Sequence, residues 1–168
     1  PPSKRQWRVK SEFTATELKE RRQTRINKAS GQNVRTFVAG EWTLEYDLAH
    51  SGLTQEVWQA AVLALADENI QVCKVTKEDA IGAREAEFLA LAALELEAKA
   101  SHVYALFETE GASKAIGAQY LSELLEHAVE SGGMGVDELR SKLPSYVLDA
   151  IAYVTAPIPV TAAPEEQG

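Results

Sequence analysis

From Val57 to Tyr153 apolar residues return at spacings of three and four, and this rhythm constrains the fold more than any other feature of the chain. Val57, Trp58, Ala61, Val62, Leu65 and Ala66 form one stripe, which predicts a helix over 54–67 with Thr54 as its cap. Phe88, Leu91, Ala92, Leu94 and Leu96, separated by glutamates, predict a helical run from about residue 84. Beyond a junction at Ala100-Ser101, Val103, Tyr104, Leu106 and Phe107 predict another. Ile116, Tyr120 and Leu124, flanked by Leu121, Leu125 and Ala128, predict a helix over 113–129 that stops at Gly132-Gly133-Met134-Gly135. A short helix over 136–143 follows, and Pro144 opens the last one, which carries Tyr146, Val147, Ile151 and Tyr153. Residues 69–83 are less regular, with a turn at Ile81-Gly82.

The first third reads differently. Thr14 or Thr16 can cap a helix running to about residue 29, with Glu17 supporting its start. Ser30-Gly31-Gln32-Asn33 is a stop, and 34–38 looks like a strand. The segment 37–49 then reads as extended, with Trp42, Leu44, Tyr46 and Leu48 on a core-facing side. Thr43, Glu45 and Asp47 fall on the other side. Two carboxylates and a hydroxyl so placed can hold a hard divalent cation, since Mg²⁺ prefers oxygen ligands. The alternative is a half-buried strand with a wet polar face. Lys114 aligns with Ala118, Leu121 and Leu125, near the buried face and at the positive end of its helix dipole. It either snorkels to solvent or is aimed at an anion.

Charge is unevenly distributed. Residues 1–40 carry a net +7 and the remainder −15. The basic segment can meet phosphates, or it can lie on the acidic remainder of the same molecule. No apolar run approaches the ~18 residues a spanning helix needs, and no signal-peptide pattern is present. Cys73 is the only cysteine, which excludes an internal disulfide framework and fits a reducing, cytoplasmic setting. With His50, His102 and His127 it makes no zinc-site spacing. Cys73 next to Lys74 is read as an ordinary buried cysteine. The chain starts Pro1-Pro2-Ser3 and its single methionine is Met134, so it is expected to be a processed or truncated piece.

Three segments together resemble the C-terminal region of ATP-dependent endonucleases of the OLD (overcoming lysogenization defect) family. They are Asn33-Val34-Arg35-Thr36-Phe37 running into Trp42-Thr43-Leu44-Glu45-Tyr46-Asp47-Leu48-Ala49, Lys114 with Gly117-Ala118-Gln119-Tyr120-Leu121, and Leu143-Pro144-Ser145-Tyr146-Val147-Leu148-Asp149-Ala150-Ile151-Ala152-Tyr153-Val154. Family members join an ABC-type ATPase to a Toprim nuclease domain. The residue patterns give an α/β, mostly helical fold with a polar, proline-rich and therefore disordered tail over 156–168, and the resemblance implies a partial Toprim-like region over 1–82 with a helical region over 83–155 that completes the nuclease domain. It implies a metal-dependent DNA endonuclease using two cations, Mg²⁺ or Mn²⁺, about 3.5–4 Å apart. By this resemblance Glu45 is an acidic metal-site residue supported by Thr43, and Lys114 stabilises charge at the scissile phosphate; Asp47, which shares the polar face in the strand reading, is taken as a second metal ligand.

The upstream glutamate cluster, the Asp-x-Asp pair and the ATPase of that family are not in this chain. The resemblance therefore expects the isolated chain to be inactive. It expects the missing ATPase and Toprim half, which alone would use ATP, to act in the same or another chain. It also implies a homo-oligomer when complete, with DNA as partner and no membrane. The alternatives are a non-catalytic DNA- or partner-binding helical module, docking DNA through Arg21, Arg22 and Arg25, and an inactive truncated relic.

Overall fold

The computed structural model describes residues 10–28 and 35–156. Nine α-helices are present among them: α1 (Ala15–Lys28), α2 (Leu44–Leu48), α3 (Thr54–Gln71), α4 (Lys77–Gly82), α5 (Glu85–Leu91), α6 (Leu96–Glu108), α7 (Lys114–Glu130), α8 (Val136–Ser141) and α9 (Ser145–Thr155). No strand occurs among the described residues. The mostly helical character expected from the sequence holds. The expected strands do not: residues 35–38 run without pairing, and Leu44–Leu48 is a helix. Val34, the turn over 30–33, the N-terminal residues 1–9 and the tail from residue 157 lie outside the described residues.

Local chemistry explains where the helices start. Thr14 and Glu17 form a reciprocal capping box: the Glu17 N–H donates to the Thr14 hydroxyl at 3.2 Å and the Thr14 N–H donates to the Glu17 carboxylate at 2.7 Å. Thr43 caps α2, Thr76 caps α4 and Ser113 caps α7, each accepting an N–H from three residues on. Thr54, expected as a cap, is instead the first residue of α3. Its hydroxyl donates to the Ala49 carbonyl at 2.7 Å, inside a π-helical turn over Ala49–Leu53 that joins α2 to α3. Gly52 sits in that turn at φ 125°, which a side chain would strain, and a Cβ there would lie 3.2 Å from the Lys142 side chain. The Ser51 hydroxyl reaches the Lys142 carbonyl at 2.6 Å and ties the turn to the end of α8.

Helix α3 is the centre of the molecule. Its middle residues, 60–64, are all buried, so the helix is covered on more than the single stripe read from the sequence. Val57, Trp58, Ala61 and Val62 join a cluster with Tyr46, Leu53, Leu91, Val103, Phe107 and Met134. Ala60 and Leu63 face a second cluster with Ala80 and Tyr120. Burying Leu63 alone is worth roughly 1.5–3 kcal/mol. Gly117 lets α7 come close to its neighbours: a Cβ there would lie 2.9 Å from the Phe107 ring. The junction expected at Ala100-Ser101 falls inside α6, where Ala100 is fully buried, and the chain breaks instead between Leu91 and Leu96.

Candidate functional site

Helix α2 carries the candidate carboxylates. Because it is helical, Glu45 and Asp47 lie about 200° apart around its axis rather than on one face, and the common polar face of Thr43, Glu45 and Asp47 expected from a strand is not formed. Thr43 ends as the N-cap, its hydroxyl accepting the Tyr46 N–H at 3.4 Å.

Asp47 turns inward and is 4 % exposed. Its Oδ2 accepts the N–H groups of Gly40 at 2.6 Å and Glu41 at 3.2 Å, and its Oδ1 accepts that of Trp42 at 2.9 Å. Three amide dipoles converge on this carboxylate, a setting for an anchoring anion. A cation approaching it would face the positive ends of those dipoles. Asp47 therefore does not fit the role of metal ligand and instead holds the loop over 40–42 against α2.

Glu45 and Lys114, 69 residues apart in sequence, are brought together: Nζ of Lys114 lies 3.4 Å from Oε2 of Glu45. Lys114 is the first residue of α7, where the helix dipole disfavours a cation, and the Glu45 carboxylate offsets that. The ammonium also stands 5.2 Å from the centroid of the Tyr104 ring, within cation–π range. The Lys114 side chain is 45 % exposed and that of Glu45 20 %, so the pair has one side in solvent and one against the protein.

Three aromatic side chains with polar tips back the pair. The Tyr104 hydroxyl donates to Glu108 at 2.5 Å, and burial, that bond and the charges of Glu108 and Glu45 together push it well above the usual phenol range. The Trp42 ring nitrogen is buried near the Tyr104 hydroxyl without closing a bond of regular geometry. The Tyr146 hydroxyl, from α9, is buried beside Asp47 in the same way, and burial followed by the charges of Asp47 and Glu45 raises it. Sequence reading assigned these residues to apolar stripes. The available signal was that Tyr and Trp in a core seek partners for their polar ends.

Among the described residues no three Asp, Glu, His or Cys side chains gather in a metal-holding group. No helix among the described residues is long and apolar enough to cross a membrane. Compared with known proteins, the chain matches no family model, no curated protein and no solved structure.

Proposed function

We propose that this chain is the C-terminal part of a metal-dependent DNA endonuclease of the OLD type. It contributes Glu45 and Lys114 to a phosphodiester-hydrolysing site whose remaining acidic residues come from outside the chain. The observation that carries the reading is the 3.4 Å approach of these two side chains, singled out from separate segments of the resemblance. Bound Mg²⁺ or Mn²⁺ would stabilise the attacking and leaving oxygens. Lys114, fixed between the Glu45 carboxylate and the Tyr104 ring, presents its solvent-facing side to a phosphate oxygen and opposes the charge that develops there. Thr43 acts indirectly, by starting the helix that carries Glu45. Asp47 acts by fixing the loop before it.

The test is cleavage of DNA by the complete protein with its ATPase and Toprim half. Glu45→Gln and Lys114→Ala are each expected to lower Mg²⁺- or Mn²⁺-dependent cleavage by about a hundredfold or more, with the circular dichroism spectrum unchanged. Wild-type cleavage by both variants would remove this site assignment.

A further inference from the structure

A cleft runs between α1 and the loop over 38–42, lined by Arg21, Arg22 and Arg25, with Leu18 and Trp42 on its walls. All three arginines are exposed. None has a carboxylate within ion-pair distance among the described residues, unlike Lys10, Lys77, Arg84 and Lys142. The one acidic side chain lining the cleft, Glu41, already pairs with Lys10 at 3.2 Å. Arg21 stands over two rings: its guanidinium carbon lies 4.4 Å from the centroid of the Phe13 ring and 5.5 Å from that of Trp42. Stacking on rings fixes a guanidinium without neutralising it and leaves its N–H edge free for a phosphate. The opposite wall is equally fixed, because the Asp47 carboxylate binds the amides of residues 40–42.

We infer that the exposed arginine rim of this narrow cleft binds the phosphates of a nucleic-acid backbone, with Arg22 and Arg25 as the contacting cations and Arg21 as a preset third. Three positive charges on one short helix face, with no ion pair among the described residues, match a polyanion with closely spaced phosphates. The rest of the molecule, net acidic, repels such a ligand and restricts it to this surface. The inference stands without the nuclease reading, since it requires neither a metal nor cleavage.

The experiment uses the full 168-residue chain, a fluorescently labelled duplex of about 20 base pairs of mixed sequence, and EDTA, read by anisotropy between about 25 and 200 mM salt. Binding is expected, with log affinity falling against log salt at a slope of about −2 to −3. Arg22→Gln with Arg25→Gln should weaken binding about tenfold at the lowest salt and flatten the slope by nearly two. Lys74→Gln with Arg140→Gln, a change of equal charge away from the cleft, should leave both unchanged. Inorganic phosphate should compete poorly. No binding by the wild type, equal losses in the two double variants, or full displacement by inorganic phosphate would each overturn the inference. Because EDTA abolishes any metal-dependent cleavage, failure here leaves the Glu45–Lys114 assignment standing, and failure of that assignment leaves this one.

Discussion

At the scale of single residues, the two carboxylates of α2 have opposite duties, and substitution separates them. Asp47→Ala removes the buried acceptor of three partly exposed amides and is expected to cost about 2–4 kcal/mol, because hydrogen bonds to a charged group are worth roughly 1.5–3 each when buried and less where water can replace the lost partner. Glu45→Gln breaks only a partly exposed pair and should cost about 0–1 kcal/mol. Urea denaturation of the two variants checks both figures. Tyr120 gives a pH signature. Its hydroxyl donates to Asp67 at 2.7 Å, and burial followed by that bond pushes it up to about 12, above its ordinary value of 10. The folded state thus holds the proton more tightly than the unfolded state. The contribution is intact below pH 10 and is lost as pH rises through about 12. Tyr120→Phe should cost about 1 kcal/mol at neutral pH, and its deficit against the wild type should shrink above pH 10 when stability is followed by denaturation across the alkaline range.

At the scale of elements, helix ends were the most legible part of the sequence where a hydroxyl could cap. Glu17 and Thr14 could be named as a start because the reciprocal bonds need only local spacing. The end of α3 was less legible. The helix runs four residues beyond the 54–67 expected, and closes with a Schellman motif in which the Cys73 N–H donates to Ile70 O at 3.0 Å and the Lys74 N–H to Asn69 O at 2.9 Å. Cys73 occupies the position where a glycine is usual, at φ 54°, and is exposed rather than the buried cysteine expected. Cys73→Gly should therefore stabilise the protein by about 0.5–1 kcal/mol, measured as a higher denaturation midpoint, because relief of left-handed strain exceeds the entropy lost by glycine. Helix α2 was misread for a physical reason: at five residues it is too short to show a 3.6-residue period, and alternation of apolar and polar residues over its length fits a strand equally well.

At the scale of the whole molecule, the larger of the two apolar clusters joins residues from Tyr46 to Met134. Tyr46, Leu53, Val57 and Trp58 share a cluster with Leu91, Val103, Phe107 and Met134, so residues before and after position 82 bury each other. Unfolding is expected to be a single transition, with equal calorimetric and van't Hoff enthalpies. Two separate transitions in calorimetry would count against a shared core. The sequence by itself determined the helical character of residues 54–67 and of most of 84–153, the Thr14 cap, and the residue types from which a site could be built, because all three depend on spacing within one or two turns; it did not show helix α4 or the caps Thr43 and Thr76. Only the tertiary structure decided that Glu45 faces Lys114 while Asp47 turns inward to the loop, and that three arginines face a rigid wall. Those outcomes depend on how helices far apart in the chain pack around α3, and the direction of a side chain across such a junction is set by the packing of both partners rather than by the pattern of either.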